Sequence, residues 1–269
     1  MSSPEPSQEP SLSVIREPKV YLVGRQTVND QALTEFLDDH DVAKWTTDAS
    51  VAGDKLIEVA GRLCYMSFAK PRPGGNKAYI EHILEVGHGS VLEHAVFNLI
   101  ITGVSRSFTH ELVRHRAGFG YSQLSQRFVD ESQCEFVEPD AIADDPELHR
   151  VWIEAVESCQ KAYKLLADGL AARFADIPDR TLRRKKAREA ARSVLPNATE
   201  TKIFVTANGR ALRHFIEMRA DPAADVEIRK VAVAILKLVQ VDCPNLFGDY
   251  EILPLEGGGE TATTVFRKV

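Results

Sequence analysis

The segment THELVRHRAGFGYSQLSQRF begins at Thr109 and is rich in side chains that can bind a ligand or take part in a reaction. On a helix, Glu111 and His115 lie four positions apart on one face, while Arg114 and Arg116 diverge from each other. The end of that helix therefore presents a carboxylate, an imidazole and cations. Arginine suits phosphate because its planar fork donates two hydrogen bonds and keeps its charge near neutral pH. We interpret the segment as a polar site that can hold a phosphorylated ligand.

The stretch after the RHR tripeptide is predicted to be a loop, since it contains Gly118 and Gly120. Its hydroxyl, amide and guanidinium groups can read the edge of a pyrimidine or hold phosphate oxygens. These side chains are Ser122, Gln123, Ser125, Gln126 and Arg127. Taken alone, the segment has an alternative interpretation as a charged, solvated helix end followed by a flexible loop.

A zinc site is the other alternative, because HELVRH resembles the protease motif H-E-x-x-H. The second histidine here comes five residues after the first, which rotates it roughly 140° away on a helix. The four cysteines also lie far apart, without a C-x-x-C pair. We therefore expect no metal.

The elements that must position these residues are mostly helices. A short strand is predicted at 20–23 and another at 95–102, which Gly103 is expected to break. Ser105 is expected to cap a helix that reaches Arg116. Further helices are predicted at 54–62, 76–86, 148–174, 182–194, 209–218 and 226–239. Because regular strand–helix alternation is missing, we predict an α+β fold, with a small, mostly antiparallel sheet flanked by several helices.

Composition narrows the classes of protein that fit. The formal net charge of -6 argues against a nucleic-acid partner. No apolar run approaches the roughly 20 residues that cross a bilayer, and no secretion signal is visible. We expect a cytoplasmic protein without a membrane partner. Residues 1–18 are predicted to be a disordered tail, 19–250 a single catalytic domain and 251–269 a C-terminal tail.

Five motifs together carry a family resemblance. They are GRLCYMS, VGHGSVLEH, ITGVSRSFTHELVRHR, VLPNATET and RALRHFIEMRAD, and they follow one another between about Ala60 and Phe247. With the SQLSQR stretch after RHR, the chain resembles the flavin-dependent thymidylate synthases. The resemblance implies FAD as cofactor, with methylenetetrahydrofolate and NADPH as co-substrates, and reductive methylation of dUMP to dTMP. It also implies a homotetramer whose active sites draw residues from several chains.

The resemblance also implies residue roles. FAD is expected to contact a set of residues that spans both halves of the chain: His88, Ser90, Arg114, His115, Arg116, Asn208 and His214. The expected dUMP-binding residues are Arg106, Glu111, Arg114, Gln123, Ser125, Gln126, Arg127, Arg192 and Arg219. Arg219 is expected to polarise the uracil ring, and Ser125 to act as an orienting hydroxyl in catalysis. For Arg210 and Arg213 the preferred interpretation is pairing with Glu217 on an exposed helix.

One departure from the family pattern bears on activity. Eight residues, AGFGYSQL, separate Arg116 from Ser125, where the family has seven. Gly118 and Gly120 can let the chain bulge and keep the downstream residues in place. The alternative is a flavin- and nucleotide-binding homologue with weak or no synthase activity, because a displacement of ~1 Å can cost about 100-fold in rate.

Overall fold

The structure is a computed structural model that describes residues 12–70 and 72–268. The chain forms two compact units, each assembled from separate stretches of sequence. The first unit consists of the described residues of Met1–Pro18, with Thr102–Thr109 and Gln123–Lys202. The second unit consists of Lys19–Ile101, His110–Ser122 and the described residues of Ile203–Val269.

The helices and strands alternate irregularly along the chain. The helices are α1 Asp30–Asp39, α2 Ala52–Leu63, α3 Gly75–Glu85, α4 Arg106–Leu112, α5 Asp140–Ala143, α6 Pro146–Arg173, α7 Arg180–Ala191, α8 Gly209–Arg219, α9 Val226–Asp242 and α10 Pro244–Phe247. The strands are β1 Val14–Ile15, β2 Lys19–Gly24, β3 Val96–Ser105, β4 Phe119–Gln123, β5 Phe136–Val137, β6 Glu200–Asn208, β7 Glu251–Pro254 and β8 Glu260–Thr263. Short 3₁₀ turns occupy Ser67–Ala69, Gly89–His94 and Arg192–Val194.

The largest sheet has four strands in the order β2-β3-β6-β4. At one end of the β3–β6 pair the Gly209 amide donates to the Ala95 carbonyl, and at the other the Arg106 amide donates to Thr199. The residue numbers of the partners on β6 decrease as those on β3 increase, so the two strands are antiparallel. This mixed α/β architecture with small antiparallel sheets confirms the predicted fold class.

Each unit has its own apolar packing. In the second unit, α9 is buried along most of its length, and Leu37, Trp45 and Phe68 form a separate cluster under α1. In the first unit, Phe136 and Val156 pack with Cys134. Among the described residues, no helix combines the length and apolar character needed to cross a membrane.

Local predictions near the RHR tripeptide need correction. β3 does not stop at Gly103 but continues through it to Ser105, because glycine accepts the φ of +67° found there. Ser105 does cap α4, since its hydroxyl accepts from the Phe108 amide at 3.0 Å. However, α4 ends at Leu112 instead of Arg116, so the RHR residues lie in a turn after the helix. Part of the predicted loop is strand β4.

The predicted tails also differ from the structure. Residues 1–11 lie outside the described residues, but 12–18 contain β1, which pairs in parallel with β5. Arg16 fixes this stretch further by donating to the Glu138 carboxylate at 2.8 Å. Near the other end, β7 and β8 form an antiparallel hairpin within 251–269. Apolar strand residues and buried polar partners order both stretches, although their composition favours a tail.

Candidate active site

Arg219, the last residue of α8, joins two residues of the RHR region in the second unit. Its Nε donates to His115 Nε2 at 3.0 Å, and its Nη1 donates to Glu111 Oε2 at 3.0 Å. The predicted helical pair of Glu111 and His115 therefore shares a single guanidinium. This arrangement fixes the direction of the Arg219 side chain, because two acceptors hold its planar fork.

His115 is neutral near physiological pH. Burial, then the nearby Arg219 cation and His214, together lower the pKa of His115 to about 4. The ring packs edge-on against Phe215 with centroids 5.2 Å apart, and also lies near Phe119. Because Nε2 accepts from Arg219, we assign the remaining proton to Nδ1.

The turn after the RHR tripeptide passes through Gly118 in a backbone conformation that suits glycine. Its φ is +74°, a conformation that glycine adopts without a Cβ penalty. The Gly118 carbonyl accepts from the Asn208 amide at 3.0 Å, which ties the turn to the start of α8. A Cβ on Gly118 would lie 2.6 Å from Asn208 Nδ2 and 2.8 Å from Ala211 Cβ. At Gly118 the turn therefore approaches the start of α8 more closely than a residue with a Cβ would permit.

The side chain of Tyr121 on β4 holds this strand against the turn that precedes it. The Tyr121 hydroxyl donates to the His115 carbonyl at 2.6 Å and lies 3.0 Å from the Leu112 carbonyl. Burial raises the pKa of Tyr121, so the phenol stays protonated. Tyr121 thus closes the turn between α4 and β4 by its side chain.

A groove of about 490 Å³ opens in the second unit beside the turn and the first turns of α8. Its wall includes the predicted flavin residues Asn208 and His214. The other lining residues are Glu93, Ala117, Gly118, Arg210, Ala211, Glu217, Met218 and Lys268. Asn208 also caps α8, because its Oδ1 accepts from the Ala211 amide at 2.8 Å. His214 is exposed and faces the groove.

A second concavity of about 310 Å³ contains His88 and Ser90. Ser90 lies in the Gly89–His94 turn and His88 directly precedes this turn, and both side chains are exposed. The His88 ring stacks on Tyr65 with centroids 6.5 Å apart. Arg210 lines this concavity as well as the groove, so the two surfaces adjoin.

Arg210 and Arg213 do not pair with Glu217 as predicted. Arg210 donates to Glu93 at 2.8 Å, and Arg213 is buried and binds Asp249 through both terminal nitrogens. The partners were missed because they lie far away in sequence. Arg114 and Arg116 are exposed on the turn after α4.

The remaining predicted residues lie in the first unit. The Gln123 amide donates to the Thr109 hydroxyl at 3.1 Å and to the Thr201 hydroxyl at 3.3 Å. The Ser125 hydroxyl accepts weakly from the Arg127 amide at 3.4 Å. These bonds orient the amide and hydroxyl of the SQLSQR stretch, and Gln126 beside them is buried.

Three arginines of the first unit carry the cationic character that the sequence predicts. Arg127 pairs with Glu189 at 2.7 Å, while its buried Nε has no hydrogen-bond partner among the described residues. The Nε of Arg106 is likewise buried without a partner in the described part of the chain, and burial lowers the pKa of Arg106. The positive charge of Arg192 acts on Arg106 in the same direction. Sequence reasoning missed Glu131, a buried carboxylate whose attraction favours the charged form of Arg106.

Comparison with known proteins places these motifs in a family. Residues 47–245 match the family model described as thymidylate synthase complementing protein. The flavin-dependent thymidylate synthase of Mycobacterium marinum is 52% identical over 235 residues, which are 87% of this chain and 93% of that protein. The protein of the same name from Mycolicibacterium vanbaalenii is 53% identical over the same shares of the two chains.

A solved structure supports the fold. The UMP/dUMP methylase PolB from Streptomyces cacaoi, bound with 5-Br dUMP, aligns with a TM-score of 0.65 over 88% of this chain and 96% of that chain. The sequence identity of 19% limits this likeness to the fold. From the family model and the identity to its relatives, this chain belongs to the flavin-dependent thymidylate synthase family.

Proposed function

We propose that this chain is an FAD-dependent thymidylate synthase that methylates dUMP to dTMP, with methylenetetrahydrofolate as carbon donor and NADPH as reductant. The proposal rests above all on the hydrogen bonds that Arg219 donates to Glu111 and His115. They bring residues of two separate family motifs into direct contact. The names of relatives at about 52% identity over most of the chain support the same chemistry.

The second unit offers residues that fit a flavin dinucleotide. The groove and the adjoining concavity measure about 490 and 310 Å³, and they meet at Arg210. Such volumes match small-molecule sites, and an elongated cofactor can extend along adjoining surfaces. His88, Ser90, Asn208 and His214 would line it, while the exposed cations of Arg114 and Arg116 suit a pyrophosphate. When bound, FAD supplies the hydride that no side chain can provide.

His115 takes part in this proposal as a neutral group. A protonated imidazole would repel the Arg219 guanidinium, whereas the neutral ring accepts a hydrogen bond from it. Glu111 balances the charge of Arg219 from the other side. The guanidinium is thus oriented before substrate arrives, which is the form of preorganisation that stabilises developing charge on a uracil carbonyl.

The first-unit residues are proposed to bind the nucleotide. Arg106, Arg127 and Arg192 would neutralise its phosphate, and the partnerless Nε atoms of Arg106 and Arg127 are available donors. Ser125 would orient the substrate as a hydroxyl, since its hydroxyl already accepts from the Arg127 amide at 3.4 Å. Gln123 and Gln126 would hold the base or phosphate, although the Gln123 amide already donates to two hydroxyls.

Assembly and location complete the proposal by resemblance to the family. We propose a homotetramer in which Arg192 reaches the nucleotide of a neighbouring copy, and a cytoplasmic enzyme. The alternative of a binding protein with little activity is not favoured, because relatives over most of the chain are named as synthases. We further propose that Gly118, whose φ is +74°, lets the turn accommodate the eight-residue spacing between Arg116 and Ser125.

Omission assays test the function directly. Purified protein with FAD, dUMP, methylenetetrahydrofolate and NADPH should form dTMP, and removing any one component should stop it. Ser125→Ala should retain flavin binding while dTMP formation falls. Formation of dTMP without folate, or its absence in the complete mixture at any enzyme concentration, would contradict the proposal.

A further inference from the structure

Residues 260–268, which we name the strap, pack along α8 in the second unit. The Thr261 hydroxyl donates to the Ala220 carbonyl at 2.6 Å, and the Ala262 amide donates to the same carbonyl at 3.1 Å. Ala220 directly follows the last residue of α8. The start of the strap therefore satisfies a carbonyl that the helix end leaves without a partner in the helix.

A buried arginine anchors the middle of the strap. The Arg213 side chain is only 2% exposed and donates to Asp249 at 2.6 and 2.8 Å. The same guanidinium donates to the Phe266 carbonyl of the strap at 3.2 Å, and the Thr264 hydroxyl bonds to Asp249. Because a buried bidentate pair is geometrically specific, these bonds fix the path of the strap.

Glu217 on α8 then holds the end of the strap. Its carboxylate accepts from Arg267 Nε at 3.2 Å and from the Lys268 backbone amide at 2.9 Å. As a result, Lys268 lines the groove together with Gly118, Asn208 and His214. The strap thus delivers one lysine to the surface where the flavin residues meet.

The acidic residues of the groove are engaged by other cations. Glu93 pairs with Arg210 at 2.8 Å, and Glu217 pairs with Arg267. Among the described residues, both groove carboxylates therefore already have an arginine partner, and the exposed Lys268 forms no ion pair with them. Lys268 also lies outside residues 47–245, the part of the chain that the family model matches.

We propose that Lys268 is an anion-binding residue of the groove, whose ammonium receives a phosphate or carboxylate group of a bound ligand. This inference rests on the proposed function, which supplies three candidate sources of that group. They are the pyrophosphate of FAD, the phosphates of NADPH and the glutamate carboxylates of the folate. A flexible ammonium suits any of them as a point charge.

The test measures the three dissociation constants directly, by calorimetry at low salt. FAD is titrated into the apoprotein, and methylenetetrahydrofolate and NADP⁺ are titrated separately into the FAD-loaded protein, with NADP⁺ standing for NADPH because NADPH would reduce the flavin. Lys268→Ala should raise the dissociation constant of at least one ligand by about fivefold, as expected for the loss of an exposed charge pair. Added salt should reduce the difference between the variant and the wild type. The ligand affected identifies the source of the anion. Lys268→Arg should keep the wild-type constants.

Lys77→Ala is the matched control, because Lys77 is an exposed lysine of α3 that lines neither concavity. It should leave all three constants unchanged. Unchanged constants in Lys268→Ala, or an equal loss in the control, would overturn the inference. Since these titrations need no turnover, a parallel dTMP assay of the wild-type protein reports failure of the proposed function separately.

Discussion

Replacing Arg219 with Ala should cost far more activity than stability. The side chain is 23% exposed and its partner Glu111 is 32% exposed, so solvent screens the ion pair. An ion pair of this exposure contributes at most about 1 kcal/mol to folding. Loss of a preorganised donor to developing charge lowers kcat by about 10²–10³, or about 3–4 kcal/mol. We therefore expect a folded protein with almost no dTMP formation.

The same substitution should change the titration of His115. Burial keeps the pKa of that imidazole low, but loss of the neighbouring cation removes the second cause of its shift. The pKa should therefore rise above about 4 while staying below its ordinary range. Nitrogen-15 NMR of labelled histidine measures this directly, alongside chemical denaturation and the rate of dTMP formation.

Arg150→Ala is the control for this experiment. Arg150 is 58% exposed on α6 and pairs with Glu147 and Glu154 on its own helix. Its loss should leave stability and activity close to those of the wild type, because an exposed ion pair contributes little to folding. If Arg219→Ala kept kcat within about threefold of wild type, or matched the control in every readout, the role assigned to Arg219 would be wrong.

Three further predictions concern the turn, the imidazole and the strap. Gly118→Ala should lower the free energy of unfolding by about 1–3 kcal/mol and weaken FAD binding in denaturation and fluorescence titrations. Gly120→Ala should do neither, because its added Cβ would meet only Thr206 Cβ at 3.8 Å, an ordinary van der Waals contact. In the folded protein His115 should stay neutral down to about pH 5. Its contribution to stability is therefore complete above its ordinary pKa near 6.5 and declines as pH falls toward 4. An NMR titration midpoint near 6.5 would contradict this. Asp249→Ala should cost about 3–5 kcal/mol in unfolding free energy by leaving Arg213 buried without its carboxylate, and a loss below about 1 kcal/mol would argue against the anchor.

Periodicity predicted the long helices well because their signals are local. The helix predicted at 148–174 is α6 Pro146–Arg173, and the helix predicted at 209–218 is α8 Gly209–Arg219. The predicted cap Ser105 accepts a hydrogen bond from the first turn of α4, whereas the cap that Asn208 provides for α8 was not predicted. Strand β6 was not singled out, although its burial alternates along most of Glu200–Asn208.

The site could be predicted only as a set of residues. The link from Arg219 to His115 spans 104 positions, and the bond from Gln123 to Thr201 spans 78. No local pattern specifies such partners, because they depend on how strands and helices pack. Lys268 could not be predicted for the same reason, because its position in the groove depends on the contacts of the strap with Glu217.

The most direct measurement of the central claim is a single-turnover experiment on the FAD-loaded protein. Flavin is first reduced anaerobically with NADPH, and dUMP is then added with methylenetetrahydrofolate labelled with carbon-13 in its methylene group. Flavin absorbance should return only when both additions are present, and mass spectrometry should find the label in the methyl group of dTMP. Reduced flavin that persists, or dTMP without the label, would contradict it.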